Sequence, residues 1–485
     1  MHHHDSKQNK LIKIIAVYTL MTVSTIAIVT FIVLFVLGFR LDTDKGQLEQ
    51  YAFLQFNSKP TGAMVAIDGN VVSGQTPNKS SVRGGNHEFV IWKDGYETWR
   101  KTLDVKSGTL TWLNYILMIP KKLDVESVAT YPFVYASLAS PAGKYMIVQK
   151  LSDTPDFDLV DLSSDTIKST ALSVSKKHYS EAYTSSFKHV FSVEKWDQGE
   201  RYLLIKHNYN DKVEWLIADT QNIENTVNIT KLFDLSFSNI EFSGNGGNIL
   251  FTLESGNLRK LDIGAETISK TLVSKVKRFN IYDNNLITYV GYNDAGARLV
   301  GVYHDGDGSP YVIKNITSDD SVSLRAISTH YFNEDYIAIA EGRKIEVFSG
   351  DYRTVSNGAS KLNLVKSIDA DFDIQRLDFS PIGQYVLAQS GVNFISYDIE
   401  YQNLVTSTVD SDTGASPLRW LNKSYFWADS NGQLTIREFD GTNPRSINSV
   451  ASGQSATITK NERYIYSINK IETGYQLQRV RLVLI

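Results

Sequence analysis

Followed by its apolar and polar positions, the chain changes rhythm three times. Between Ile14 and Phe39 the run IIAVYTLMTVSTIAIVTFIVLFVLGF holds no charged side chain over 26 positions, which predicts one membrane-spanning helix. At 1.5 Å per residue such a helix is about 39 Å long, enough to cross a hydrocarbon core of about 30 Å with some tilt. Val, Ile and Thr are weak helix formers in water. In lipid that weakness is overridden, because each backbone N–H and C=O must bond within its own segment. A helix of this length in a soluble core would carry a polar face, and this one has none.

From 51 to 120 short apolar stretches such as YAFLQFN and GAMVAIDG alternate with turn signals at Asp68-Gly69, Thr76-Pro77, Gly84-Gly85 and Asp94-Gly95. They predict a small antiparallel sheet or sandwich. The apolar stretch Leu110–Pro120 is too short to span a bilayer as a helix and is read as the last strand of this module or a buried connector.

Beyond Lys121 a longer unit recurs: an apolar strand, a polar turn, a stronger apolar strand, a second turn and an aliphatic strand ending near Asp. Clear copies are SLASPAGKYMIVQ (137–149), IEFSGNGGNILFTLESGNLRKLDI (240–263) and RLDFSPIGQYVLAQSGVNFISYDI (376–399). The first turns, near Ala142, Gln198, Asn245, Asn284, Glu334, Ile382, Asn422 and Asn461, recur every 46 residues or so, the period of a propeller blade at about 40–50. Eight copies predict eight blades, or seven if the weak unit at 279–303 is an insertion. Closure into a ring covers both apolar faces of each sheet and leaves only short edges. A solenoid would need caps, and a two-sheet sandwich seldom grows so large. The predicted fold is mainly β: a tail at 1–13, a transmembrane anchor at 14–39, a linker at 40–50, a β-sandwich at 51–122 and a β-propeller at 123–485.

Composition narrows the chemistry. Lys and Arg number 49 against 53 Asp and Glu, a formal charge of −4, and no basic stripe stands out. The electrostatic footprint of a general nucleic-acid binder is therefore missing, and no nucleic-acid partner is expected. Hydrophobic residues make up 42% and aromatic residues 11% of the chain, far above disordered sequences. Cysteine is absent, which removes disulfides, thiolate metal sites and thiol nucleophiles together. Lys7, Lys10 and Lys13 precede the apolar run, whereas Arg40 and Lys45 follow it mixed with Asp42 and Asp44; the lysine excess predicts a cytoplasmic N-terminus. The run exceeds the core of a cleaved signal peptide and no small-x-small site follows it, so it reads as an uncleaved anchor. His2, His3 and His4 carry no weight in this reading.

Catalytic motifs are missing. There is no Gly-x-Ser-x-Gly elbow, no Walker lysine loop and no His-Glu-x-x-His. His87-Glu88 starts like a zinc-protease helix but lacks the second His, and Asp68 reads as a turn residue. His178, His189, His207, His304 and His330 are scattered without metal-ligand spacing. The stretch from His304 through Asp305, Gly306 and Asp307 to Gly308 looks like a calcium loop, but Ile316 stands where the closing Glu belongs, so a surface turn is preferred. Asp369, Asp371 and Asp373 alternate; in a strand they would share a face and repel unless solvated or bound to a cation. Sequons at Asn78, Asn228, Asn315 and Asn422 matter only in a eukaryotic secretory pathway. No catalytic, cofactor-binding or metal residue is assigned, and no cofactor is expected.

The module at 51–122 resembles the PEGA domain, a β-sandwich of bacterial and archaeal envelope proteins. Pro60, Gly62 and Ala63 carry the signature with Thr61 in place of Glu. Ile67-Asp68-Gly69, Thr76-Pro77, Gly85 with His87, Lys93 with Gly95-Tyr96, and Trp99 follow in order. Tyr96 and Trp99 read as core aromatics. The Ser-Pro-x-Gly-x-Tyr segments Ser140–Tyr145 and Ser380–Tyr385 are similar to diverged WD40-like or TolB-like propeller repeats, without their Gly-His and Trp-Asp pairs. The PEGA resemblance implies envelope association.

The expected function is a membrane-anchored cell-envelope binding or scaffold protein, not an enzyme, with an envelope protein or cell-wall glycan as partner. The alternative is a propeller enzyme, such as a glycosidase, lyase or quinone-cofactor dehydrogenase, with its site on the central axis. Clustered Arg, His or carboxylates on that axis separate the two. A signalling sensor is disfavoured, because about 13 residues before the helix leave little room for an output domain.

Overall fold

The computed structural model describes residues 7–42, 46–181, 188–244, 246–283, 286–356, 358, 361–409 and 416–484. The chain forms two compact units, one running up to Lys122 and including Val483 and Leu484, the other Leu123–Leu482.

The first unit begins with a helix, α1 (Lys7–Val36). Its segment Lys10–Val36 has a mean hydropathy of 2.4 and is nowhere buried inside the protein. Side chains such as Phe31, 70% exposed, have no protein to pack against, so length and composition suit a lipid surrounding. The helix starts earlier and stops sooner than the expected 14–39. Gly38, at φ +85°, ends it; the N–H groups of Leu37 and Gly38 donate to the carbonyls of Val33 (2.9 Å) and Phe35 (3.1 Å). A Cβ on Gly38 would lie 2.6 Å from the Tyr51 carbonyl oxygen, so glycine is required at this joint.

The expected linker at 40–50 is mostly strand instead. β1 (Phe39–Asp42) pairs antiparallel with β2 (Gln47–Lys59). Then follow β3 (Met64–Ile67), β4 (Asn70–Gln75), β5 (Asn78–Arg83), β6 (Gly85–Trp92), β7 (Trp99–Val105) and β8 (Leu110–Leu117). One sheet runs β1-β2-β5 with β8 parallel on β2; the other runs β4-β3-β6-β7. Their shared core holds Leu54, Phe56, Val65, Phe89, Ile91, Tyr96 and Trp99. Val483 and Leu484 lie outside the propeller range given above: the Leu484 N–H donates to the Tyr96 hydroxyl at 2.8 Å, within the first unit.

The second unit contains, among the described residues, eight four-stranded antiparallel sheets. Blades 1 to 7 span Ala136–Ser173, Val190–Asn228, Asn239–Ile268, Val276–Asn315, Leu324–Asp369, Arg376–Thr408 and Arg419–Ser449. Blade 4 covers the weak unit at 279–303, so that unit is a full blade and the count is eight. Blade 8 combines Ala456–Ile458, Tyr464–Ile471 and Gly474–Arg481 with β9 (Val125–Tyr131), which pairs on Gly474–Arg481 as its outermost strand. The beginning of the unit thus completes its end and removes the open edge that a linear stack would leave.

Apolar clusters fill the seams. Ile147 and Phe157 of blade 1 pack with Phe191 and Leu203 of blade 2; Val148 of blade 1 packs with Tyr466 and Leu477 of blade 8. A fully buried Phe or Leu contributes roughly 1.5–3 kcal/mol relative to exposure. The first hairpin turn repeats in detail. Side-chain oxygens of Ser140, Asp197, Ser380 and Thr459 accept the N–H of the tyrosine five residues on, Tyr145 (2.9 Å), Tyr202 (2.7 Å), Tyr385 (3.1 Å) and Tyr464 (3.2 Å). Between them Gly143, Glu200, Gly383 and Glu462 take positive φ.

Candidate functional site

Seven sheets run in chain order and the eighth does so until β9 is added at its outer edge; in a propeller the first strand of each blade is innermost, so the eight first strands line the central channel and their starts lie at one end of it. At that end four consecutive blades present an arginine: Arg278 on Val276–Asp283, Arg325 on Leu324–Tyr331, Arg376 on Arg376–Phe379 and Arg419 on Arg419–Trp420. Arg278 and Arg376 are exposed, whereas Arg325 and Arg419 are half-buried.

Burial and the positive charges of Arg278 and Arg376 push the Arg325 guanidinium down. Burial and Arg376 push Arg419 down. Both stay charged at physiological pH, since arginine starts so high. Among the described residues no carboxylate lies within ion-pair distance of Arg278, Arg325 or Arg376, and the buried Nε of Arg325 has no hydrogen-bond partner. Arg419 lies 5.4 Å over the Trp427 ring and donates weakly to the Gln454 carbonyl at 3.4 Å.

The first strands of the other four blades carry no arginine. There Lys195 of blade 2 meets Glu241 of blade 3 at 2.6 Å, Glu194 of blade 2 accepts from the Ser192 hydroxyl at 2.7 Å, and Ser137 of blade 1 is tied to Ser455 of blade 8 by two 2.8 Å bonds.

Asp378 stands two residues along the strand from Arg376, on the same face and deeper in the channel. Solvent reaches its carboxyl, yet the surrounding wall desolvates it and pushes it up to about 6, against its own hydrogen bond with the Phe379 backbone and the charge of Arg376. At the blade-4 end of the arc, a cavity of about 70 Å³ between blades 4 and 5 is lined by Arg278 itself together with Lys277, Tyr292, Arg298 and Asp320. Asp320 accepts there from the Tyr292 hydroxyl at 3.0 Å and lies 3.5 Å from Arg298 and 3.7 Å from Lys277.

The residues weighed in the sequence fall elsewhere. Asp305 pairs with Lys260 at 2.5 Å and Asp307 with His304 at 3.3 Å, in a hairpin turn. Only Asp369 of the three alternating aspartates lies in a strand, Asn363–Asp369; Asp371 and Asp373 follow in the loop, with Asp373 3.5 Å from Arg343, so the shared face does not form. Asp68 adds to its turn an ion pair with His87 at 2.6 Å and a bond from the Glu88 N–H at 2.9 Å; these hold its carboxyl below the usual range. Two scattered histidines do meet. His189 Nδ1 lies 2.8 Å from His207 Nε2, and His207 Nδ1 lies 2.8 Å from Glu214. Among the described residues no group of three or more His, Asp or Glu is arranged to hold a metal.

The arginine arc went unread in the sequence. Its signal is there: Arg278, Arg325, Arg376 and Arg419 follow one another at 47, 51 and 43 residues, the blade period itself.

Fold and site define a propeller protein with a small β-sandwich, one apolar N-terminal helix and a cationic channel mouth. Residues 53–120 match the PEGA domain family. No curated protein matches the chain. Similar solved structures include an oligogalacturonate lyase in complex with manganese (10% identity, TM-score 0.42, covering 75% of this chain and 98% of that one). Another is Kluyveromyces lactis Hsv2 (12% identity, TM-score 0.40, 72% of this chain and 99% of that one). A third is the oligogalacturonate lyase of Vibrio parahaemolyticus (10% identity, TM-score 0.39, 74% and 98%).

Proposed function

We propose that this is a membrane-anchored binding or scaffold protein of the cell envelope. In this reading α1 crosses the membrane with its lysine-flanked end in the cytoplasm, the PEGA module and the propeller stand outside, and the channel mouth docks an anionic envelope partner, cell-wall glycan or protein. The observation that carries it is the run of arginines on four successive blades, of which Arg278, Arg325 and Arg376 have no carboxylate within ion-pair distance among the described residues, a cationic field that a bound anion would complete. The test captures partners from cross-linked membranes with the full chain and with the double variant Arg325→Gln/Arg376→Gln. Capture of anionic glycan or acidic protein is expected to fall by about tenfold or more, since each lost charge-assisted bond is worth roughly 1.5–3 kcal/mol. Undiminished capture would sink the reading.

A second reading, an axial-site enzyme, has one observation behind it. Asp378, with a carboxyl titrating near 6 next to a guanidinium, has the character of a general acid or base. Arg376 is the charged group that acts on Asp378, and chemistry of the glycosidase kind would require a second carboxylate beside it. Incubating the full chain with acidic and neutral oligosaccharides, and with a dye acceptor plus quinone cofactor, checks it. No turnover is expected; turnover abolished by Asp378→Asn would replace the binding reading with this one.

A further inference from the structure

We propose that the channel mouth takes one extended polyanion, whose successive anionic groups are each held by a guanidinium from a different blade. This deepens the docking reading above and rests on it.

The arrangement of the four charges is the starting point. Arg278, Arg325, Arg376 and Arg419 stand on the first strands of blades 4, 5, 6 and 7, four neighbours in the ring. The four positions therefore follow the rim from blade to blade and do not converge on one point; the charges of Arg278 and Arg376 act on Arg325, and that of Arg376 acts on Arg419. A single phosphate or carboxylate placed between two of them would leave the others uncompensated. A chain with a negative group at regular intervals would meet all four. The fork of each guanidinium suits bidentate bonding to a phosphate or a carboxylate equally, so the shared chemistry is a repeating oxyanion.

Three details favour a ligand over mutual repulsion tolerated in water. Among the described residues no carboxylate lies within ion-pair distance of Arg278, Arg325 or Arg376. Arg419 is held 5.4 Å over the Trp427 ring. The first strands of blades 1, 2, 3 and 8 carry no arginine. The arc is thus confined to one side of the mouth, as an edge for a strand to lie along.

The test is titration calorimetry of the full chain in zwitterionic nanodiscs at fixed ionic strength. The probes are inorganic phosphate, a monouronate, tripolyphosphate, longer polyphosphate, a four-residue uronate oligomer and a neutral oligosaccharide of equal length. Polyphosphate, the uronate oligomer or both are expected to bind at least about tenfold tighter than their monomers, about 1.4 kcal/mol; the arm that binds identifies phosphate or carboxylate as the source. Arg278→Gln and Arg419→Gln, at the ends of the arc, are expected to weaken the oligomer by a larger factor than the monomer, since the monomer loses one of several equivalent sites and the oligomer loses a simultaneous contact. Arg→Lys at the same positions keeps the charge and loses the fork, and is expected to give intermediate affinity, which guards against a folding defect.

Equal affinity for monomer and oligomer, equal binding of the neutral oligosaccharide, or indifference to both end variants would overturn the proposal. If partner capture still depends on Arg325 and Arg376 while valency has no effect, the docking reading survives and this inference falls.

Discussion

Gly143→Ala is expected to destabilise the propeller by about 3 kcal/mol or more, through strain and overpacking together. Gly143 sits in the first turn of blade 1 at φ +67°. A Cβ there would stand 2.1 Å from the Ile458 carbonyl oxygen and 3.2 Å from its carbonyl carbon. Both are backbone atoms on the inner strand of blade 8, so relief requires moving a strand and not a side-chain tip. The seam concerned is the one at which β9 completes blade 8 and Ser455 bonds Ser137. Loosening it weakens the closure that joins the two ends of the unit. Gly432 supplies the control: it also has positive φ, at +81°, but nothing lies within 4 Å of its Cβ position. Gly432→Ala is expected to lose only the backbone preference, about 1 kcal/mol. Urea unfolding of both variants decides the matter, and equal losses would contradict the close seam.

Glu214→Ala is the second large effect expected. His207 is 0% and Glu214 1% exposed, and the two are joined at 2.8 Å. Removing the carboxylate leaves the buried His207 Nδ1 and the Ser180 N–H without their partner, at about 1–3 kcal/mol for each group left unsatisfied. The pair also sets an acid limit. Burial alone would raise the Glu214 carboxyl. The bonds from His207, the Ser180 backbone, the Asn228 amide and the Ser180 hydroxyl outweigh it and hold the group at about 2, against 4.5 unfolded. A depressed carboxylate stabilises the fold above its unfolded value. That stability, on the order of 3 kcal/mol, is lost as pH falls from about 4.5 toward 2. Chemical denaturation from pH 6 to 2 should therefore show a fall in the wild type that the variant lacks over this range. Parallel curves would mean that Glu214 is not the group responsible.

Much of the architecture is legible along the chain, because its causes are local. A charge-free run such as Ile14–Phe39 has one stable solution in lipid. Short apolar strands spaced by Gly, Asn and Asp turns have few alternatives to an antiparallel sheet. The blade period survives even where the signature pairs are gone, since Ser140, Asp197, Ser380 and Thr459 use three residue types for one turn bond. Local reading errs at the joints. The helix yields to a strand at Phe39 because Gly38 permits the backbone to turn against Tyr51, which hydropathy does not register.

The order of elements, the blade repeat and the absence of thiol chemistry follow from the sequence alone, because each depends on neighbours a few residues apart. Two things depend on the closed ring. β9 joins Gly474–Arg481 across nearly the whole unit, and arginines 43 to 51 residues apart become neighbours on one rim; the contacts of His189 with His207 and of His207 with Glu214 need only the hairpins of blade 2. Residues one blade apart are far apart along an extended chain and close only when the sheets are set around an axis. The chemistry of the mouth therefore belongs to the tertiary structure, even though the period that builds it is written in the sequence.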